Sequence, residues 1–209
     1  MQPDRTKARI LAATDALFGE RGFDATSTRD IAERSGVNKA LIHYHFHAKE
    51  DLLGVLLDGY YERLTVKLLT AFGQRPTLVE QVEDVLDAYA DFLAQNRTFC
   101  SIVQREVASG RHVDRIVQGT LPVFQLATTW FAELTPNAVT AQELLHVLTS
   151  VYGMVVTYFT YGRVLHQLSG VDPFTDEALE ARKLHVRRMV RLLFVELESR
   201  MSTDAGALS

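Results

Sequence analysis

Cysteine is almost absent from this chain of 209 residues, which contains only Cys100. A single cysteine excludes a disulfide within the chain and agrees with a reducing compartment. We expect Cys100 to be a small buried apolar side chain and not a reactive thiol, because that is the common role of a free cysteine. The sequence therefore does not resemble a secreted, disulfide-stabilised protein.

Catalytic motifs are also absent. The sequence has no phosphate-binding glycine loop, no G-x-S-x-G, no H-E-x-x-H and no paired-cysteine motif. We therefore predict neither enzyme activity nor a bound cofactor.

Long hydrophobic runs are missing as well. The most apolar stretch, VYGMVVTYFTYG at 151–162, is interrupted by glycine and threonine and is shorter than the roughly 20 apolar residues that span a bilayer. The first 18 residues alternate charged and apolar side chains, unlike the apolar block of a signal peptide. We expect a cytoplasmic protein with no membrane association.

Charge is spread unevenly along the chain, whose net value is -4. Residues 1–50 contain eight Lys or Arg and seven Asp or Glu, whereas the remainder contains 14 basic and 19 acidic residues. This distribution permits a polyanion-binding end on an acidic body.

Helical spacing of apolar residues recurs throughout, and the alternation typical of strands is scarce, so we predict an all-α fold. The first helix ends at Arg21-Gly22-Phe23, and longer helices are predicted at 48–72, 78–95, 98–109, 113–134, 140–168 and 175–200. A turn is predicted at Thr135-Pro136-Asn137. Pro122 should kink or split its helix near Thr120, because proline removes a backbone hydrogen bond.

Two short helices joined by a glycine-containing turn follow the first helix. Ser27 can cap the second helix, with Asp30 as the acidic partner of a capping box, and Asn38 can cap the third. We expect Val37, Ile42 and Phe46 to face inward, against Ile31, Ala32 and the first helix. The opposite face of the third helix then suits a DNA major groove.

Three alternating histidines, at positions 43, 45 and 47, have the spacing of a metal site on a β-strand. On a helix His43 and His45 diverge by roughly 200°, so they cannot share an ion. His43 and His47 lie one turn apart, but two histidines do not complete a metal site. We predict no metal site.

The run from Ile10 to Leu53 resembles the DNA-binding domain of the TetR/AcrR family of bacterial transcriptional regulators. Four motifs match. F-x-x-x-G-[FY] is formed by Phe18, Gly22 and Phe23, and A-x-x-x-GV by Ala32, Gly36 and Val37. The HF pair is His45 and Phe46, and the KE pair is Lys49 and Glu50. The prediction is an N-terminal three-helix helix-turn-helix domain at 1–50, followed by a larger helical effector-binding and dimerisation domain at 51–209.

The resemblance also implies which residues contact DNA. The start of the second helix would bind phosphate, the start of the third would probe base edges, and the aromatic run would contact the backbone and thymine methyl groups. Lys49 would clamp a phosphate. The implied contacts are Ser27, Thr28, Arg29, Asn38, Lys39, Ala40, His43, Tyr44, His45 and Lys49.

The C-terminal part offers helices with wide apolar arcs. MVRLLFVEL at 189–197 is apolar on more than one side, and Thr149, Gly153 and Thr157 recur at a spacing of four. These features favour a homodimer through the last two long helices over a closed monomeric core, as the resemblance also implies. Two recognition helices could then read a palindrome with half-sites about 34–36 Å apart.

Aromatic residues in the C-terminal part could line a mostly apolar pocket with a few polar groups, although such residues are more often core. An uncharged aromatic or lipid-like effector fits this composition better than a strongly charged one. The candidate ligand contacts are Phe92, Phe99, Val103, Gln104, Phe124, Gln125, His146 and Tyr152.

The sequence therefore predicts a ligand-responsive DNA-binding transcriptional regulator. In the family such a protein is usually a repressor, released from a palindromic operator by a small effector. Two alternatives stay open: a helical enzyme of the same fold, and a protein-interaction module whose helix-turn-helix binds protein partners.

Overall fold

Ten α-helices make up the part of the chain that the computed structural model describes, and no strand occurs there. Backbone structure is described for residues 3–134 and 140–207, and side chains for 5–77, 79–130, 140 and 142–193. The all-α prediction is confirmed. The predicted turn at Thr135-Pro136-Asn137 lies outside the described residues. The helices are α1 (Pro3–Arg21), α2 (Thr28–Ser35), α3 (Lys39–His45), α4 (Lys49–Ala71), α5 (Leu78–Gln95), α6 (Arg97–Ser109), α7 (Val113–Leu134), α8 (Ala141–Thr160), α9 (Gly162–Ser169) and α10 (Asp176–Ala207).

The helix predicted at 140–168 is in fact two helices. Helix α8 ends at Thr160, and α9 continues after a bend of 70°. Gly162 lies directly against the ring of Phe174, and a Cβ atom at this position would overlap that ring. The bend therefore depends on a glycine that admits an aromatic ring from later in the chain, and helical periodicity carries no sign of such a contact.

Pro122 does not split its helix. Helix α7 continues from Val113 to Leu134 with Pro122 inside it, so the predicted split near Thr120 is wrong. Pro122 and Gln118, whose carbonyl loses its helical partner, are both exposed. Because water can bond to that carbonyl, the helix tolerates the missing hydrogen bond.

The chain divides into two compact units. The first consists of Met1–Arg63 and Asn96–Thr120, and the second of Leu64–Gln95 and Leu121–Ser209. In the first unit α1 packs against α2 and α6, and α2 packs against α3. Its fully buried side chains include Ile10, Leu17, Phe18, Ile31, Ile42, Leu52, Leu53, Leu57 and Ile102. The functional division at residue 50 stays a prediction.

Cys100 is buried in the first unit, as expected. Burial raises the pKa of its thiol to about 12. Because the thiolate is the reactive form, Cys100 stays an unreactive core residue near neutral pH.

In the second unit, three ion pairs connect α5 to α10. The pairs are Glu83 with Arg191, Asp87 with Arg187, and Asp91 with Lys183. Each series advances by four residues, so its members lie on one helical face, and the two series run in opposite directions along antiparallel helices. Val155, Val186 and Val190 provide buried apolar packing in the same unit. We call these three pairs the ion-pair ladder.

Within the described residues no single helix is both long enough and apolar enough to cross a membrane. Helices α8 and α9 would meet those criteria only when taken together across their bend.

Candidate functional site

The start of α2 is fixed by a reciprocal cap. The Ser27 hydroxyl oxygen accepts from the Asp30 backbone N–H at 3.1 Å, and Asp30 Oδ2 accepts from the Ser27 backbone N–H at 2.7 Å. The predicted capping box is therefore confirmed. Hydrogen bonds from the side chain and backbone of Ser27 lower the pKa of Asp30.

Arg9 on α1 holds the turn between α2 and α3. Its guanidinium Nη2 donates to the Ser35 carbonyl at 2.6 Å and to the Gly36 carbonyl at 3.2 Å. Gly36, at φ 60°, ends α2 in the left-handed conformation that favours glycine. The sequence indicated the glycine but not Arg9, because an arginine on the polar side of α1 gives no sign of which carbonyls it will reach.

Helix α3 has one buried and one exposed face. Ile42, Phe46 and Val37 are 1%, 3% and 7% exposed, which confirms their predicted inward orientation. On the other face Lys39, Ala40 and His43 are exposed, and the Tyr44 side chain is 77% exposed. The fold thus presents a short polar and aromatic surface while Ile42 of α3 stays buried.

Asn38 and His45 border this exposed face. Asn38 Oδ1 accepts from the Ala40 backbone N–H at 2.9 Å and caps α3, which leaves the side-chain NH₂ group to act as a donor. The half-buried His45 ring packs edge-on against the Tyr44 ring, with the ring centroids 5.2 Å apart. His45 can therefore orient Tyr44 on the surface.

The predicted phosphate contacts at the start of α2 differ in accessibility. Arg29 is exposed, and Thr28 is partly exposed. The Ser27 hydroxyl already donates to Asp30 Oδ2. A phosphate contact by that hydroxyl would have to replace this bond.

Lys49 has contacts of its own within the protein. Its ammonium donates to the Phe23 carbonyl at 2.7 Å and to the Thr26 carbonyl at 2.9 Å. It also lies 4.1 Å from the centroid of the Phe23 ring, a cation–π distance. Lys49 thus fixes the loop before α2, and its contact with a phosphate stays a prediction.

Residues of α6 and the following turn hold the same loop. The His112 ring packs edge-on against Phe23 at 4.8 Å, and Arg111 pairs with Asp24. His112 Nδ1 lies 2.5 Å from Oε2 of the buried Glu106. Within the first unit, the loop that carries the α2 cap is therefore fixed from two sides, and sequence analysis indicated neither contact.

The candidate effector residues do not form one cluster in a single unit. Three belong to the first unit: Phe99 and Val103 are buried, and Gln104 is partly exposed. The Phe99 ring packs against Tyr60 and Tyr61 at 4.9 and 5.3 Å. This packing favours the core alternative for Phe99.

The other five candidates belong to the second unit. Phe92 is buried, Phe124 is partly exposed, Gln125 and His146 are exposed, and Tyr152 is 44% exposed. None of them lines the cleft that the second unit forms between α5, α8 and α10. Their contact with an effector therefore stays a prediction.

Within the part of the chain that the structure describes, no group of three or more His, Cys, Asp or Glu side chains could hold a metal ion. What the first unit does hold is a capped α2, a glycine turn and an outward-facing α3. These features define a helix-turn-helix DNA-binding protein.

Comparison with known proteins identifies the family. The family described as "Bacterial regulatory proteins, tetR family" matches residues 10–56. The HTH-type transcriptional repressor Rv3405c of Mycobacterium tuberculosis is 30% identical over 176 residues, which cover 84% of each chain. The chain belongs to the TetR family of transcriptional regulators.

Solved structures share the fold over nearly the whole chain. A TetR-family transcriptional regulator from Syntrophomonas wolfei aligns with a TM-score of 0.72 at 20% identity, covering 93% of this chain and 97% of that one. The fatty acid degradation regulator FadR from Bacillus halodurans aligns with a TM-score of 0.71 at 18% identity, covering 88% and 94%. At these identities the likeness extends to the fold alone.

Proposed function

We propose that this regulator is a homodimeric repressor that binds a palindromic operator through α3 and is released by a small, mostly apolar effector. The observation that carries the proposal is the two-faced α3, whose apolar side is buried while Lys39, His43 and Tyr44 are displayed outward. This function places the protein in the cytoplasm with the DNA that it regulates.

The proposed DNA contacts fall into two groups. Arg29, Thr28 and the N-terminus of α2 would hold phosphates, because helix N-termini and guanidinium groups favour anions. The α3 residues that would probe base edges and thymine methyl groups are Asn38, Lys39, Ala40, His43 and Tyr44, with His45 supporting Tyr44. Ser27 would take part mainly as the cap that sets the start of α2.

Dimerisation is proposed through α8 and α10. Leu145 and Tyr152 are exposed on α8, and Leu184 and Leu192 are exposed on α10. A Cβ added to Gly153 would meet nothing within 4 Å, so this part of α8 is open to close approach by a partner helix. Val190 is 2% exposed, so apolar residues of α10 occur on a buried side as well as on the exposed one. Phe194, Val195 and Leu197 lie outside the described side chains.

The proposed mechanism is a shift in population between two dimer conformations. The effector would favour a separation of the two recognition helices that no longer fits successive major grooves, and operator affinity would fall. A coupling free energy of roughly 1–3 kcal/mol is enough for such a response. If the effector dissociated the dimer and did not change its geometry, this mechanism would be wrong.

Two other functions remain as alternatives. An enzyme of the same fold would need an acid, base or nucleophile placed in a cleft. A protein-interaction module would use the exposed α3 face for a protein partner. The family to which the chain belongs favours regulation over both.

The test is binding to the DNA immediately upstream of the protein's own gene, measured against a scrambled duplex and against salt concentration. We expect specific binding that weakens steeply with salt and saturates at two copies per palindrome. Equal, weak binding to both duplexes, repeated with a genome-wide selection of bound fragments, would contradict operator recognition.

A further inference from the structure

The cleft in the second unit lies between α5, α8 and α10, and its walls are mostly apolar. Leu86 and Ala90 come from α5, Val155 and Phe159 from α8, and Leu179 and Val186 from α10. The cleft is open to solvent on one side, and its enclosed part has a volume of only about 20 Å³, so a ligand would lie mainly in the open part. Small-molecule sites typically combine an apolar lining of this kind with a few polar groups that orient the ligand.

Four charged side chains also line the cleft, and three of them are already paired. Asp87 pairs with Arg187, and Asp91 pairs with Lys183, whose ammonium also reaches Glu180. These pairs belong to the ion-pair ladder and its surroundings. Their charges are therefore compensated within the protein.

Arg182 is the fourth charged side chain, and its surroundings differ. No carboxylate pairs with it among the described residues. Its Nη2 donates to the Met154 carbonyl, its guanidinium lies 5.3 Å from the centroid of the Tyr158 ring, and its Nε is buried with no hydrogen-bond partner in the described structure. Burial lowers the pKa of Arg182, as expected for a cation that has lost hydration without gaining an anion.

A guanidinium in this position has a specific chemical preference. Burying a charge is costly unless it is paired, so an anion that reached Arg182 would offset a cost that the free protein bears. A carboxylate suits the planar fork of arginine donors, because it can accept two parallel hydrogen bonds. A phosphate dianion suits the cleft less well, because Arg182 offers it a single unpaired positive charge among mostly apolar walls.

We propose that the cleft between α5, α8 and α10 binds a small monocarboxylic acid with an apolar body, and that Arg182 anchors its carboxylate. The apolar walls would take the body of the acid, while the ladder keeps Asp87 and Asp91 neutralised. The inference rests on the proposed function in one respect: it makes this acid the effector. Helices α8 and α10 would then both contact the ligand and form the dimer interface.

The experiment uses the full-length protein and a panel of straight-chain and aromatic monocarboxylates, from acetate to dodecanoate and including benzoate and phenylacetate. Each acid is paired with its primary amide, which keeps the shape but lacks the charge. Binding is measured by thermal shift and then by calorimetry. We expect at least one acid to bind, and its amide to bind at least about tenfold more weakly.

Three variants separate the anchor from general effects of charge. Arg182→Gln should weaken binding of that acid by about tenfold to a hundredfold, and Arg182→Lys should weaken it less. Arg163→Gln, which removes an exposed charge from α9, should leave binding unchanged. Urea midpoints of the variants show whether each one is folded.

The outcomes distinguish the site from the proposed function. If no acid in the panel binds, or if the bound acid binds Arg182→Gln as tightly as the wild type, the site is refuted, whatever the protein does with DNA. If the acid binds through Arg182 but leaves operator affinity unchanged, the site stands and its role as effector site is refuted. If the scrambled duplex binds as well as the operator, the proposed function fails independently of the site.

Discussion

The cations that fix the helix-turn-helix differ in their partners from the cations that connect α5 to α10. In the first unit Arg9, Lys49 and Arg105 donate to backbone carbonyls at the ends of α1 and α2 and in the loop between them. In the second unit Lys183, Arg187 and Arg191 pair with carboxylates on the facing helix. One arrangement fixes the shape of turns, and the other fixes the register of two long helices.

This difference corresponds to what each unit has to do. A helix-turn-helix must hold two very short helices at a set angle, and short helices have little packing of their own. A cationic side chain that donates hydrogen bonds to backbone carbonyls fixes the backbone of the turn directly. Long helices already bury apolar surface, so side-chain pairs need only select the register, and such pairs weaken as salt rises. We therefore expect variants in the two units to differ in size of effect and in salt dependence.

The largest effect is expected from Lys49→Met. Methionine keeps the apolar stem against Phe23 but removes both hydrogen bonds to the loop, so the first unit should lose about 2 kcal/mol of stability. Amide hydrogen exchange in α2 and α3 measures the loss. Lys39→Met, on the exposed face of α3, is the control and should leave stability nearly unchanged.

The same variant also tests where Lys49 points. If Lys49 contacts only the protein, the dependence of DNA affinity on salt should keep its slope in Lys49→Met. If the slope of log affinity against log salt falls by about one while stability is unchanged, Lys49 contacts a DNA phosphate and does not fix the loop.

A smaller effect is expected from the ladder. Asp87→Asn removes the partner of Arg187 and should cost about 1.5 kcal/mol, between the values typical of exposed and of buried pairs. Trp130, the only tryptophan of the chain, lies in the second unit stacked on Phe72, so its fluorescence reports unfolding there. In a double-mutant cycle with Arg187→Gln, the coupling should shrink as salt is added. A coupling of zero at low salt would show that the ladder does not stabilise the unit.

Ser27→Ala should cost about 1 kcal/mol in the first unit, because the Asp30 backbone N–H loses its acceptor and the Asp30 carboxylate loses the hydroxyl donor. Ser101→Ala, on the surface of α6, provides the matched control. The effect should vary little with salt, unlike that of the ladder variants. Unchanged exchange rates in α2 would mean that Arg9 and Lys49 hold the helix without its cap.

The smallest effect concerns Asp15, which accepts a hydrogen bond from Tyr60 at 2.8 Å. Burial raises the pKa of Asp15. The hydrogen bond from Tyr60 and the charge of Arg63 lower this pKa, but their effect is smaller, so the net shift is upward. The folded state therefore holds the proton more tightly than the unfolded state, and stability falls as pH rises through this raised pKa. Asp15→Asn, which does not ionise, should gain stability relative to the wild type as pH rises above about 4 in urea unfolding. A relative loss over that range would contradict the direction of the shift.

Local patterns predicted the frame of the DNA-binding unit. The Ser27–Asp30 cap, the Gly36 turn and the inward set of Val37, Ile42 and Phe46 each depend on residues within a few positions of one another. Such rules act over one or two helical turns. For that reason they are readable from a single sequence.

Long-range contacts were not predictable in the same way. The sequence shows that Arg9 and Lys49 are cations but not which carbonyls they reach, because those carbonyls come from segments 26 residues or so away. The residues of the ion-pair ladder have a regular spacing in the sequence, with acids at 83, 87 and 91 and bases at 183, 187 and 191. Pairing them requires knowing that α5 and α10 are neighbours, which the sequence does not show. The predicted effector contacts were mainly aromatic residues with a few polar partners, whereas the cleft in the second unit is lined mostly by aliphatic residues and by charged residues of α5 and α10.

The most direct test of the central claim is the operator affinity of Lys39→Ala combined with Tyr44→Ala. Both side chains are exposed on α3, so the double variant should unfold at the same urea concentration as the wild type. We predict that it binds the operator at least about a hundredfold more weakly, while Arg163→Ala binds as the wild type does. A folded double variant that kept full operator affinity would contradict the assignment of α3 as the surface that reads DNA.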